Sequence, residues 1–328
     1  MVTYTHVMTK ALPALIPIKN QPKTNTRDVR ARVEAAVALY PSASLNDKAS
    51  LSQWYGALLG HDGQLPILSP AYWPEWTIRW TEWLLQGQVI ADLGCGDGHF
   101  AAAVASRAPS TQDPKELYLV DLSPDLVRAA VKRAIKAVPA SSDLKIIPIV
   151  ADIERISKPD NRAQFSGLID RVMAINTLLE MRADVAMRQI SRLMSPSGLL
   201  CVTVSSKEFY DEFWAHHDES YVSDSGDSAI WITPTEFYTS GDLLSRRERG
   251  LSKTRFNTAY RRVQRYYTKQ AWERLVFITG YRIEHSEDLV YPQSLVEDRW
   301  GQKMSLRQRD LIRKWRGFKE GWLYILAR

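Results

Sequence analysis

Short apolar runs alternate with amphipathic segments through the middle of the chain. Each run is bounded by charged residues, glycine or proline, a pattern that favours a buried strand. Five strands are predicted, near Val89–Ala91, Leu117–Val120, Lys145–Ala151, Leu168–Ile175 and Leu199–Val204. Helices are predicted from Pro124 to about Val138 and from about Ala183 to Met194. Strands that alternate with helices in this way predict an α/β domain with a parallel sheet.

The C-terminal part of the chain adds further elements to this pattern. A helix is predicted over Thr268–Thr279, followed by a sixth strand over Tyr281–His285 and a closing strand over Gly321–Leu326. The connection between the fifth and sixth strands is about 75 residues long. Its first half is rich in aromatic and histidine residues, so it predicts an ordered structure over the substrate and not a disordered loop.

A glycine-rich turn separates the first strand from the helix that follows it. Gly94, Gly96 and Gly98 alternate with other residues, and Asp92 and Asp97 stand at the start of the turn and within it. Dinucleotide-binding turns have the spacing G-x-G-x-x-G and receive a pyrophosphate. A carboxylate within the turn would repel a pyrophosphate, but it suits a ligand that carries an ammonium and a sulfonium charge.

This turn resembles the first motif of class I S-adenosylmethionine-dependent methyltransferases, D/E-x-G-x-G-x-G, and the similarity extends over about residues 85–205. The resemblance implies a doubly wound, mostly parallel sheet of seven strands with the seventh strand reversed. It also implies S-adenosylmethionine as cofactor and S-adenosylhomocysteine as product. Asp121, at the end of the second strand, can accept hydrogen bonds from a ribose diol. The cofactor-binding residues predicted in this way are Asp92, Gly94, Cys95, Gly96, Gly98, Asp121, Leu122, Asp152, Ile153 and Asn176, with Asp152 and Ile153 beside the adenine.

The sequence before the first strand predicts helices that are dense in tryptophan and tyrosine. Helix-face spacing of the tryptophans indicates core packing; the alternative is a lid over the cofactor, with Tyr55 or Arg79 near its carboxylate. We expect five parts. These are a flexible segment over 1–26, a helical lid over 27–85, the cofactor-binding core over 86–206, a substrate-covering insertion over 207–270, and the C-terminal part of the sheet over 271–328.

Composition excludes several classes of protein. The chain is 45% apolar and 24% charged, which is ordinary for a globular protein. No apolar stretch approaches the roughly 20 residues that cross a bilayer, so we expect no membrane partner. The N-terminus lacks a signal-peptide pattern, and two cysteines, Cys95 and Cys201, indicate neither a disulfide framework nor a zinc site. A cytoplasmic location is expected.

Basic residues are concentrated in the C-terminal third. Residues 241–275 hold ten Lys/Arg against three acidic residues, and residues 299–328 hold nine against two. A run of charge is most often a solvated surface, but this one could also receive an acidic partner such as RNA. The aromatic residues interleaved with it suit base stacking and core packing equally.

The chemistry of methyl transfer narrows the candidate catalytic residues. A hydroxyl or ammonium acceptor must lose a proton, and His216 and His217 in the insertion, or Glu180 after the fourth strand, are candidate bases. The Asn/Asp-Pro-Pro-aromatic motif of amino-methylating enzymes, a Pro-Cys pair and an obvious carboxylate set for a metal are absent from the sequence. We therefore predict metal-independent O- or N-methylation of a small molecule or peptide. An acidic acceptor is one form of this prediction. An RNA methyltransferase and a non-catalytic cofactor-binding scaffold are the alternatives, and a homodimer is left open.

Overall fold

The computed structural model describes residues 52, 83–108, 116–214, 221–223, 228–233, 262–291, 309–310, 313–314 and 318–328. The predicted flexible segment over 1–26 lies outside the described residues. So does the predicted helical lid over 27–85, apart from residue 52 and residues 83–85. His216 and His217 also lie outside them.

Ten strands and six helices are found in the described residues. The strands are β1 (Val89–Leu93), β2 (Glu116–Asp121), β3 (Lys145–Val150), β4 (Ile169–Ala174), β5 (Met194–Ser205), β6 (Tyr221–Ser223), β7 (Ser228–Thr233), β8 (Arg262–Tyr267), β9 (Arg282–Tyr291) and β10 (Phe318–Ala327). The helices are α1 (His99–Ser106), α2 (Pro124–Ala137), α3 (Pro159–Arg162), α4 (Ala183–Ser191), α5 (Lys207–Trp214) and α6 (Lys269–Ile278). Short 3-10 turns follow β3 and β4, at Ile153–Arg155 and Leu178–Glu180.

Seven of the strands form one sheet in the order β3-β2-β1-β4-β5-β10-β9. β1 to β5 pair in parallel, and β10 runs antiparallel to both β5 and β9. The predicted α/β fold, with a mostly parallel sheet of seven strands and a reversed last strand, is confirmed. β1 lies between β2 and β4, so the glycine turn emerges between these two strands.

Some element boundaries differ from the prediction. β5 begins at Met194 and not at Leu199, because Met194 already pairs with Ile169. Residues 195–198, which separate the predicted helix from the predicted strand, lie within β5, where its pairing with β4 is irregular. Helix α4 accordingly ends at Ser191. β9 continues to Tyr291 because β10 pairs with it along its whole length.

Two hydrophobic clusters cover the two faces of the sheet. One contains Ala91 and Leu93 of β1 together with residues of α4 and α6, including the fully buried Trp272. The other contains Ile90 of β1 together with residues of α1 and α2. Neighbouring residues of β1 therefore enter opposite clusters, as expected for a strand that is buried on both faces. This confirms the doubly wound arrangement.

The described part of the connection between β5 and β9 contains α5, a second sheet in the order β6-β7-β8, and α6. The sequence predicted α6 but not this second sheet. The insertion is attached to the main sheet where β5 ends, because Ser206 forms an isolated bridge with Tyr267. Glu208 also accepts a hydrogen bond from the main-chain N–H of Lys269 at 3.1 Å.

Helix α2 packs directly on the glycine turn. Gly98 has φ 83°, and a Cβ added there would lie 2.4 Å from Cα of Ala130. Gly280 also has a positive φ, of 85°, but its added Cβ would meet nothing within 4 Å. The two positions therefore separate backbone strain from steric overlap.

We predict that Gly98→Ala destabilises the protein more than Gly280→Ala. The left-handed backbone alone costs a residue with a Cβ roughly 1–2 kcal/mol, and this should be the full effect at Gly280. Overlap with helix α2 should add about 1–3 kcal/mol at Gly98. Urea unfolding measures both, with Gly167→Ala as the neutral control because nothing lies within 4 Å of its added Cβ. Equal losses at Gly98 and Gly280 would contradict the close packing.

Candidate cofactor site at the carboxyl edge of the sheet

The carboxyl ends of β1, β2 and β4 lie side by side. Asp92 is the penultimate residue of β1, and it pairs with Leu119 of β2 and Met173 of β4. Asp121 ends β2, and Asn176 follows β4. In open α/β sheets ligands bind at this edge, so the register brings the predicted cofactor residues of three strands to one place.

The glycine turn is held by the end of β2. The main-chain N–H groups of Gly94 and Cys95 both donate to the carbonyl oxygen of Val120, at 2.7 and 3.0 Å. Gly94, Gly96 and Gly98 all have positive φ, of 72°, 53° and 83°. These backbone conformations favour glycine because it has no Cβ.

Thr177 explains why the first turn position is glycine. A Cβ on Gly94 would lie 2.4 Å from Oγ1 of Thr177. That hydroxyl is within 3.0 Å of the carbonyl oxygens of Leu93 and Ile175, to which it can donate. Thr177 therefore links the ends of β1 and β4 behind the turn.

Asp121 is both a predicted ligand of the sugar and an anchor of the turn. Its Oδ2 accepts a hydrogen bond from the N–H of Gly96 at 3.0 Å, and its Oδ1 accepts one from the N–H of Ser123 at 2.9 Å. A carboxylate has about four lone-pair sites, so lone pairs remain for a diol. Burial raises the pKa of Asp121 to about 6 although these main-chain donors favour the ionised form.

Asp92 has a buried carboxyl oxygen without a hydrogen-bond partner among the described residues. Its side chain is buried, with 3% of the residue exposed, and its Oδ2 has no hydrogen-bond partner within the described structure. Burial, and next the charge of Asp121, raise the pKa of Asp92 to about 8. An unpartnered carboxylate in a buried position is costly unless a cation or donor reaches it. The ammonium and sulfonium charges of S-adenosylmethionine fit this requirement.

Asp97 does not share this environment. The sequence suggested that an acid within the turn would suit a cationic ligand, but the carboxylate of Asp97 already has the guanidinium of Arg133 beside it. Its Oδ2 lies 3.4 Å from Nη2 of Arg133 and 3.2 Å from Nε2 of His99. Nε of Arg133 also donates to the main-chain oxygen of Asp97 at 2.8 Å. Of the three acids, Asp92 and Asp121 are the pair without an ion pair among the described residues.

The predicted cofactor residues Leu122, Asp152 and Ile153 lie just after the ends of β2 and β3, and the last two were predicted beside the adenine. Leu122 is half-buried, and its carbonyl oxygen accepts a hydrogen bond from Oγ of Ser52 at 3.0 Å. Oδ1 of Asp152 accepts from the N–H of Glu154 at 3.0 Å and so begins the 3-10 turn after β3. Ile153 is buried in the hydrophobic cluster beneath. Their contacts with a cofactor remain predictions.

Asn176 has an unusual backbone that its surroundings hold in place. It is left-handed, with φ 53°. Its N–H donates to Oγ1 of Thr203 at 2.7 Å, and the same hydroxyl donates to its Oδ1 at 3.0 Å. Left-handed residues other than glycine are costly and tend to occur at functional sites. Thr203 lies on the neighbouring strand β5, so β5 fixes the residue that ends β4.

The predicted residues that remain are Cys95, Glu180, His216 and His217. Cys95 is buried, and burial together with the nearby carboxylates raises the pKa of its thiol well above the usual range. This agrees with a packing role and not with a nucleophile. Glu180 is the last residue of the turn Leu178–Glu180, which packs against β8. His216 and His217 lie outside the described residues.

Sequence reasoning missed the residues that support the site from behind. Thr177, Thr203 and Arg133 were given no role, although each touches a predicted cofactor residue or the turn. Arg133 follows Ala130 by three residues and therefore lies on the same face of α2. That spacing was visible in the sequence, but the contact of this face with the turn was not.

Comparisons with known proteins agree with this geometry. Residues 90–198 match the family model described as "Methyltransferase domain". Similar solved structures include an S-adenosylmethionine-dependent methyltransferase from Mesorhizobium loti, with 18% identity, coverage of 79% of this chain and 98% of that chain, and a TM-score of 0.46. Another is the 1,6-didemethyltoxoflavin-N1-methyltransferase of Burkholderia thailandensis, with 14% identity, coverage of 87% and 90%, and a TM-score of 0.46. A search of curated protein sequences finds no match.

Residues 90–198 form a methyltransferase domain. Such a domain implies an enzyme that uses S-adenosylmethionine as its cofactor. Within the described residues, no helix is long and apolar enough to cross a membrane. The same residues contain no cluster of three His, Cys, Asp or Glu side chains arranged to hold a metal.

We predict that the cofactor-free protein loses stability as the pH rises from about 4 to about 8. Asp92 and Asp121 have raised pKa values in the folded state, so the folded protein holds protons that the unfolded chain has released. Stability is then fully present below the unfolded pKa and falls by up to about 1.4 kcal/mol per pH unit for each such group. Chemical denaturation at several pH values measures this slope.

Asp92→Asn should make that slope shallower because the amide does not ionise. Asp125→Asn is the matched control, since it removes one carboxylate that is 30% exposed on α2. The interpretation fails if the wild type and Asp92→Asn have the same slope.

We also predict that Thr203→Val destabilises the protein by about 1–3 kcal/mol. It leaves the N–H of Asn176 without its acceptor, and an unsatisfied buried donor costs about that much. Thr203→Ser keeps the hydroxyl and should retain most of the stability. Urea unfolding of the two variants makes the comparison, and a valine variant as stable as the serine variant would contradict the role of Thr203.

Proposed function

We propose that this enzyme transfers a methyl group to an oxygen or nitrogen atom of a small molecule or peptide without using a metal. The observation that carries the donor half of the proposal is the buried pair of carboxylates, Asp92 and Asp121, which have no ion pair in the described structure. A cationic ligand would offset the cost of burying them.

In this proposal different described residues would contact the ammonium group and the ribose of the donor. Asp92 would face the ammonium group, and Asp121 would receive the ribose hydroxyls on the lone pairs that Gly96 and Ser123 leave open. The left-handed glycines would let the backbone approach the ligand. When bound, S-adenosylmethionine supplies an electrophilic methyl group at a sulfonium centre.

The acceptor is proposed to lie between the turn after β4 and the insertion. β8 packs against the turn Leu178–Glu180, and its last residue, Tyr267, bridges to Ser206 at the end of β5. The insertion is thus anchored at the same edge of the sheet as the carboxylate pair. A cover at this position would exclude water and hold the acceptor in line with the methyl group.

Glu180 and residues of the insertion are the proposed source of base catalysis, and β8 is the proposed source of selectivity. Glu180 and the pair His216 and His217 remain our candidate bases, since deprotonation of the acceptor is the step a side chain can assist. Burial raises the pKa of the Tyr267 phenol, and the charge of Arg265 on the same strand, β8, partly opposes this rise. A cation on this strand would favour an acidic acceptor.

We expect S-adenosylhomocysteine to bind to the wild type and NAD not to bind, as measured by isothermal titration calorimetry. Asp121→Ala should weaken binding at least about tenfold, because hydrogen bonds to a charged group contribute roughly 1.5–3 kcal/mol each. Asp125→Ala, on the exposed side of α2, is the control and should bind like the wild type. Preference for NAD would overturn the proposal.

Acceptor class can be tested with a labelled methyl donor in extracts from which nucleic acid has or has not been digested. Label in small molecules or peptides, dependent on Asp121, would support the proposal. Label in nuclease-sensitive material would favour RNA, the alternative that the basic C-terminal third suggests. RNA binding through those residues should also weaken steeply with salt, because bound counterions are released.

A further inference from the structure

Helix α2 touches the glycine turn at two points one helical turn apart. Ala130 fills the space that a Cβ on Gly98 would occupy. Arg133 lies three residues further along and reaches the main-chain oxygen of Asp97 with its Nε at 2.8 Å. The turn is therefore held at Gly98 by packing against Ala130, and at Asp97 by the side chain of Arg133.

The same guanidinium also meets the carboxylate of Asp97. Nη2 of Arg133 lies 3.4 Å from Oδ2 of Asp97, and Nη1 lies 3.4 Å from Nδ1 of His99. Nε2 of His99 in turn lies 3.2 Å from Oδ2 of Asp97. Asp97 is 1% exposed, so its carboxylate depends on such partners in place of water.

The charge of this cluster matters because two other buried carboxylates are close by. Asp92 and Asp97 both act electrostatically on Cys95 in the same turn, together with Asp121. Asp97 has a guanidinium beside it, and the other two have no ion pair among the described residues. The carboxyl groups that the site presents to a cationic ligand are therefore those of Asp92 and Asp121, with Asp97 offset by Arg133.

We propose that Arg133 is a positioning residue for the methyl donor. It holds the glycine turn through the main chain of Asp97, and it offsets the Asp97 carboxylate, which limits the negative charge that the site presents to the donor. This inference rests on the proposed function, since it assumes that the turn receives S-adenosylmethionine. Arg133 acts through Asp97 and is not assigned a contact with the donor.

The two roles of Arg133 have different consequences for two ligands. Loosening the turn should weaken S-adenosylmethionine and S-adenosylhomocysteine alike. Leaving the Asp97 carboxylate without its guanidinium adds negative charge, which favours the sulfonium of S-adenosylmethionine over the uncharged sulfur of the product. The ratio of the two dissociation constants therefore reports the charge effect separately from any general loss of structure.

Calorimetric titration of full-length Arg133→Met with both ligands tests the proposal. We expect S-adenosylhomocysteine to bind at least about tenfold more weakly than to the wild type, with the affinity ratio shifted about threefold or more towards S-adenosylmethionine. Arg133→Lys, which retains the charge, should restore the wild-type ratio. The control is Arg128→Met on the same helix, since Arg128 pairs with Asp125 away from the turn, and it should leave both affinities unchanged.

Asp97→Asn should shift the affinity ratio in the opposite direction, and it remains informative if Arg133→Met does not fold. It leaves the guanidinium of Arg133 beside a neutral amide, so the ratio should shift towards S-adenosylhomocysteine. Affinities of Arg133→Met within twofold of Arg128→Met, or a ratio that moves in neither variant, would overturn the inference. If the wild type and Arg128→Met bind neither ligand, the proposed function itself fails.

Discussion

Parallel pairing of β1 with β2 and β4 places the carboxylates of Asp92 and Asp121 at one buried edge of the sheet. Burial raises both pKa values, and the charge of Asp121 raises that of Asp92 further, so this arrangement is costly without a cation. Much of the surrounding structure serves to keep it in place. The N–H groups of Gly96 and Ser123 engage Asp121, and the carbonyl oxygen of Val120 receives two N–H groups of the turn.

The two sides of the site are built from different kinds of structure. The donor side is formed by the glycine turn and by α1 and α2, which belong to the hydrophobic cluster on one face of the sheet. The proposed acceptor side is formed by the turn after β4 and by an insertion that joins the sheet at Ser206. The donor side is therefore fixed by the core, whereas the acceptor side can vary with the insertion without disturbing the sheet. Such a division is consistent with one fold serving many substrates.

Much of the donor side could be predicted because its signals are local. The strands around Asp92 and Asp121 are continuous apolar runs, and the spacing of the three glycines is itself the motif. The limits of β5 and β9 could not be predicted in this way, since their extra residues are strand only because Ile169 and β10 pair with them. The second sheet was missed partly for the same reason, because its strand β8 lies far from β7 in the sequence.

The sequence by itself determined the α/β class, the succession of strands and helices along the core and the turn that a donor would approach. These features depend on periodicity and on residues within a few positions of one another. Only the tertiary structure decided that Asp97 is offset by Arg133, that Thr203 holds Asn176, and that Asp92 has an oxygen without a partner. Each of these facts depends on which side chain comes near another after folding. Local pattern does not encode that distance, because packing of distant segments sets it.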